Sequence, residues 1–158
     1  MSEVCKKITD ILKTKGFVEK VIADGKSEEK YEMDLSFLGE LKDCKEEKKY
    51  VSVRKVHYRD EYHDEDLNQV QAIIYTKRTG LNTVKKLAES VLDEYYGQTK
   101  EYNLTPEFIW LVVPAIEFNV DGKKVAAGGL VRPDELDKYN IDSNEYSVCA
   151  LCFVEESF

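Results

Sequence analysis

The sequence predicts an α+β fold, a single domain over residues 1–158 with two main helices packed on a mostly antiparallel sheet. Three observations lead there. Two stretches carry apolar residues at helical spacing, and most of the remainder reads as short strands between polar turns. No linker rich in Pro, Gly or Ser divides the chain, and no internal repeat is present. Each helix has a single apolar stripe, which needs a sheet face to cover it. A chain of 158 residues buries enough surface for one core without disulfides or metal.

The elements follow in order. Val4, Ile8, Ile11 and Leu12 form the stripe of a first helix, with Ser2 as its cap and Gly16 as its stop. Phe17 to Ala23 reads as a strand, and Asp24-Gly25 opens a polar turn through Lys30. Tyr31, Met33, Leu35 and Phe37 alternate with Glu32, Asp34 and Ser36, the period of a strand with one wet face. Gly39 to Lys49 is a charged loop with room for a helical turn, Tyr50 to Tyr58 a strand, and Arg59 to Asn68 a polar break. Val70 to Thr76 is a strand whose Ile73-Ile74 centre implies burial on both faces. Val84, Leu87, Ala88, Val91, Leu92 and Tyr95 then define the second helix, with Asn82 as cap and Gly97 as stop.

The last third reads as mostly β. Phe108 to Val113 is an apolar run containing Trp110, broken or kinked at Pro114. Ile116, Phe118 and Val120 alternate up to Asp121-Gly122, a two-residue hairpin signal. Lys123 to Val131 returns, with Gly128-Gly129 expected at a bulge or strand end. Pro133 to Tyr139 forms one helical turn, and Tyr146 to Val154 is the final strand.

Lys plus Arg number 23 and Asp plus Glu 31, a net charge of −8. That balance argues against a nucleic-acid partner, which a basic stripe would serve, and against an anionic membrane surface. The longest apolar run, Phe108 to Ile116, is too short to span a bilayer, and no signal-peptide core precedes the first helix. A cytoplasmic location follows as the expectation. Charge is uneven: Asp24 to Asp66 carries 14 acids and 9 bases, and Asp134 to Glu156 carries 7 and 1. Two acidic zones on a mildly basic body suit self-association or a basic protein partner.

The densest polar cluster is His57, Asp60, Glu61, Tyr62, His63, Asp64, Glu65 and Asp66. Such oxygen and imidazole groups are of the kind that bind metal, yet the spacing fits no established ligand pattern. An EF-hand loop begun at Asp60 would need glycine where Glu65 stands, and H-E-x-x-H is absent. The cluster is instead expected as an interaction surface, together with the basic pair Lys77-Arg78, near which Lys85 and Lys86 lie on the second helix. No G-x-S-x-G elbow, P-loop or G-x-G-x-x-G occurs. Asp121-Gly122-Lys123, with Glu117 upstream, resembles a nuclease D-x-K, but a hairpin turn accounts for the same residues. Cys149-x-x-Cys152 lacks a second ligand pair, and residues three apart in a strand point to opposite faces. Ten tyrosines, among them Tyr50, Tyr58, Tyr62, Tyr95, Tyr96 and Tyr102, suit an interface as well as strands. No catalytic, cofactor or metal residue is assigned, and the chain is expected not to be an enzyme.

In order of elements, the segment VQAIIYTKRTGLNTVKKLAESVLDEYY followed by NEYSVCALCFVEE resembles the tail terminator and tail-completion proteins of long-tailed bacteriophages. That resemblance implies a ring-forming subunit of a phage-like tail or neck, partnered by its own copies and other virion proteins, in the host cytoplasm or the assembled virion. The alternative is an acidic binding module that masks a basic surface, such as a secretion-type chaperone, immunity protein or inhibitor. A third reading is a metal-dependent enzyme using the His57–Asp66 cluster.

Overall fold

The computed structural model describes residues 2–97, 102–103 and 112–158. Its centre is an eight-stranded sheet: β1 (Val18–Glu19), β2 (Gly25–Ser27), β3 (Lys48–Arg59), β4 (Asp64–Lys77), β5 (Tyr102–Asn103), β6 (Val112–Val120), β7 (Lys123–Val131) and β8 (Tyr146–Val154). The spatial order is β1-β3-β4-β8-β7-β6-β5, with β2 also on the outer edge of β3. The two short edge strands run parallel to β3, and every other pairing is antiparallel. The α+β class read from the sequence therefore holds.

Helices α1 (Glu3–Thr14) and α2 (Leu81–Tyr96) cover one face. Ile8 and Leu12 of α1 and Val84, Ala88 and Leu92 of α2 bury against Val70, Ala72, Cys149, Leu151 and Phe153 of the sheet. Ser2 caps α1 by accepting the Cys5 N–H at 3.1 Å. Gly97 ends α2 at φ 78°, a conformation that favours glycine. The cap of α2 is Gly80, not Asn82, and no side chain fills that role.

Among the described residues the opposite face carries no long helix. It is covered by a strap, residues 28–35, that leads into a 3-10 helix, Ser36–Leu41. A short helix, α3 (Pro133–Lys138), adds Leu136 to the same layer. Tyr31, Met33, Leu35, Phe37, Leu38 and Leu41 bury there against Ile73, Tyr75, Ala150 and Cys152. The alternation at Tyr31–Phe37 thus marks a buried face correctly, but the segment is not a strand. Its polar backbone is met by sheet side chains instead of a neighbouring strand, as described below.

Other boundaries shift for identifiable reasons. The expected strand at Phe17–Ala23 is reduced to two residues, Val18 and Glu19, which pair with Tyr50 and Val51 at the edge of β3. The polar break at Arg59–Asn68 is mostly strand: charged residues extend β4 to Asp64, where pairing with Arg59 continues the ladder beyond the core. Gly128-Gly129 lies within β7, and Gly129 pairs with Ala115 at the edge of a β6–β7 irregularity, in keeping with the expected bulge. A Cβ on Gly129 would sit 1.9 Å from the Pro114 carbonyl oxygen, and one on Gly128 2.2 Å from that of Ala150. The β6–β7 register slips between Val112 and Ala115, on either side of Pro114. Asp121 and Gly122 turn the β6–β7 hairpin at φ 52° and 79°. The apolar run from Phe108, Trp110 included, lies outside the described residues until Val112.

Candidate active site

The predicted interaction residues do not come together. Asp60 to His63 form the turn of the β3–β4 hairpin, and Asp64, Glu65 and Asp66 begin β4. Lys77 ends that 14-residue strand and Arg78 follows it, so the basic pair stands roughly 40 Å from the acidic turn. Lys77 lies over the Tyr146 ring, its Nζ 4.8 Å from the centroid.

Within the turn the Asp60 side chain is committed to local structure. Asp60 accepts the backbone N–H groups of Tyr62 and His63, both at 2.8 Å, and the Tyr58 phenol at 2.7 Å. Its Oδ1 also lies 3.0 Å from His63 Nδ1. These donors, the Tyr58 phenol first, hold the Asp60 carboxyl well below the ordinary carboxylate range. The same contact, with burial second, pushes the Tyr58 phenol up to about 12. His57 sits between two carboxylates, Nε2 2.8 Å from Asp64 and Nδ1 2.9 Å from Asp66. No group of three metal-binding side chains forms among the described residues. Cys149 and Cys152 bury on opposite faces of β8, and burial raises each thiol to about 12.

Beside the hairpin an open groove of about 1010 Å³ is lined by Lys26, Glu28, Glu29, Glu32, His57, Arg59, Asp60 and Glu61. Separately, a row of polar side chains is set into the strap-covered face. Side chains alternate along a strand, so Tyr50, Ser52 and Arg54 of β3 share this face with Gln69 and Gln71 of β4. Gln69, Gln71 and Ser52 are each only 1% exposed. A buried amide has to be paired, and here the partners are the strap's backbone. Gln71 accepts the Asp34 N–H at 2.9 Å and donates to the Asp34 carbonyl at 2.7 Å. Gln69 donates to the Lys30 carbonyl at 2.8 Å and accepts from Arg54 Nε at 3.2 Å. Arg54 donates its second bond to the Glu32 carbonyl at 3.0 Å. Gly25 makes room for that guanidinium, since a Cβ there would lie 2.6 Å from Arg54 Nη1. Ser52, cross-strand from Gln71, has a buried hydroxyl with no partner among the described residues.

This row was missed from sequence. Its signal is Gln69 and Gln71 inside a strand whose centre reads as buried on both faces. Two carboxamides and a guanidinium on an otherwise apolar sheet form an array able to grip a group bearing both hydrogen-bond donors and acceptors, such as a carboxylate beside an amine.

Residues 32–156 match the family described as tRNA synthetases class II core domain (F), and the chain belongs to that family. Among curated relatives, the phenylalanine–tRNA ligase alpha subunit of Lactobacillus acidophilus is 26% identical over 117 residues, covering 62% of this chain and 34% of the relative. That of Buchnera aphidicola from Schizaphis graminum is 30% identical over 101 residues, covering 59% and 31%. The chain thus spans about a third of the length of the curated relatives it matches. Pyrrolysyl-tRNA synthetase from Desulfitobacterium hafniense shares the fold at a TM-score of 0.67 and 14% identity, covering 96% of this chain and 65% of that one.

These findings overturn the resemblance to phage tail proteins and the ring-forming role drawn from it. They give no support to the acidic binding module or to virion partners. The expectation of a non-enzymatic protein fails because the family is one of synthetase cores and the relatives are ligases. The exclusion of nucleic acid fails too, since those relatives are tRNA ligases; net charge describes the whole chain and not the surface that meets a partner. Among the described residues no helix is long and apolar enough to cross a membrane.

Proposed function

We propose that this chain is the amino-acid-activating core of an aminoacyl-tRNA ligase. The observation that carries the reading is the family match over residues 32–156, which takes in the polar row, the hairpin and the last strand. Joining an amino acid to a tRNA hydroxyl requires an activated carboxyl group. The amino acid's carboxylate oxygen attacks the α-phosphorus of ATP and pyrophosphate leaves. The tRNA hydroxyl then attacks the carbonyl and AMP leaves.

The residues present suit the first step. Arg54, Gln69 and Gln71 offer a guanidinium and two amides to the carboxylate and amine of an amino acid. Lys26 and Arg59 line the groove beside the hairpin, where positive charge stabilises phosphate oxygens as the leaving group departs. Glu28, Glu29 and Glu32 on the same groove are the groups an ammonium would meet. The acidic turn from Asp60 to Asp66 and the Lys77–Arg78 pair stand as contact surfaces for further subunits or tRNA, and the cytoplasm is the compartment such a role implies.

The test is calorimetric binding of the twenty aminoacyl-sulfamoyl adenosines, uncleavable mimics of the activated amino acid, to the whole chain. Saturable binding of one of them, weakened at least tenfold by Arg59→Ala, is the expected result. Failure of all twenty to bind overturns the reading.

A further inference from the structure

The strap occupies the polar row with its backbone. The Lys30, Glu32 and Asp34 carbonyls and the Asp34 N–H take up the hydrogen bonds of Gln69, Arg54 and Gln71. Residues 28–35 form no helix or strand, so these contacts help hold them on the sheet, together with the burial of Tyr31, Met33 and Leu35 and the bonds of Tyr31 to the Lys124 carbonyl and of Glu32 to Ser27. The backbone amide at Asp34 presents a donor and an acceptor side by side, as an amino acid's amine and carboxylate do.

We infer that residues 30–34 are a built-in stand-in for substrate, an autoinhibitory contact that must lift off before an aminoacyl ligand can engage Arg54, Gln69 and Gln71. This inference rests on the activation function proposed above and adds a regulation to it. The 3-10 helix Ser36–Leu41, anchored by Phe37, Leu38 and Leu41, remains as the hinge end. Affinity is then limited by the fraction of molecules with the strap open, so any change in that fraction appears one-for-one in the dissociation constant while the open state stays minor.

The experiment compares wild type with Met33→Ala, which thins the strap's packing, and with Tyr31→Phe, which removes the phenol's 2.9 Å bond to the Lys124 carbonyl and spares the core if the first variant folds poorly. Hydrogen exchange at the Asp34 amide reads strap opening directly. Binding of phenylalanyl-sulfamoyl adenosine, or whichever mimic the screen selects, reads the site. The expected result is that Asp34 exchange and affinity for the mimic rise by the same factor, tenfold opening giving tenfold tighter binding, and that the mimic exposes the Asp34 amide in wild type. If exchange rises while affinity stays fixed, the stand-in role is overturned and the activation function stands. If the strap opens and neither protein binds any mimic, the activation function is overturned and the stand-in role falls with it.

Discussion

Replacing Gln71 with Met tests whether the polar row holds the strap. Methionine keeps nearly the same volume and removes both hydrogen bonds to Asp34, which measure 2.7 and 2.9 Å. Two backbone groups facing a residue only 1% exposed then lose their partners, at about 1–3 kcal/mol each. Burying a thioether in place of an amide returns about 1–2 kcal/mol. The net loss is about 3 kcal/mol. Lifting the strap to rehydrate Asp34 offers no escape, because it gives up the burial of Tyr31 and Met33 at about 1.5–3 kcal/mol apiece. Urea denaturation is the assay. The midpoint should fall by an amount worth about 3 kcal/mol, with a melting temperature lower by about 6–12 °C for a chain of this size. An unchanged slope indicates that the strap stays down, and a reduced slope that the native state already exposes it. A loss below about 1 kcal/mol with the slope unchanged refutes the claim that Gln71 and the strap backbone satisfy each other.

Three other outcomes follow from the geometry. Gly129→Ala should cost about 3 kcal/mol or more and leave little soluble protein, since the new Cβ meets a neighbouring strand's carbonyl at 1.9 Å; wild-type expression and melting would refute this. Asp60 has a folded-state pKa depressed below its ordinary 3.8, so its contribution to stability is present above that value and is lost as pH falls through the depressed pKa. Asp60→Asn should therefore flatten the acid limb of a urea-midpoint against pH curve, and it should lower the pH at which Tyr58 ionises from about 12, as read by phenolate absorbance. In the folded chain at pH 8, a thiol reagent should label Cys44 alone, because burial raises Cys149 and Cys152 to about 12 and Cys5 to about 11; denaturant should release all four thiols.

The parts of the fold legible in sequence were those with a local cause. The α1 stripe, the Asp121-Gly122 turn and the run from Tyr146 to Val154 are each set by neighbouring residues, and they appear as read. The parts misread depend on distant partners. Tyr31 to Phe37 has the alternation of a strand because one side of it is buried, and periodicity reports burial without reporting what pairs the backbone. Here that pairing comes from carboxamides some 40 residues downstream. Likewise the sequence shows the acidic residues only as one dense run, while in three dimensions Asp60 is spent on the turn's own N–H groups and His57 lies between Asp64 and Asp66.

The function was illegible for a related reason. A short motif marks a site only when the chemistry is gathered in one stretch of chain. In this chain the polar row draws Ser52 and Arg54 from one strand and Gln69 and Gln71 from the next, and the groove adds Lys26 from a third. No two of these are adjacent in sequence, and glutamine in a strand carries little meaning until burial is known. Burial is what converts it: an amide at 1% exposure in an apolar sheet is costly unless a partner is always present. A site whose amides must be paired at all times, yet must also admit a ligand, needs an occupant that leaves as the ligand arrives. The strap meets that requirement, and the same physics that obliges it to sit on Gln69 and Gln71 makes its backbone resemble what they would bind.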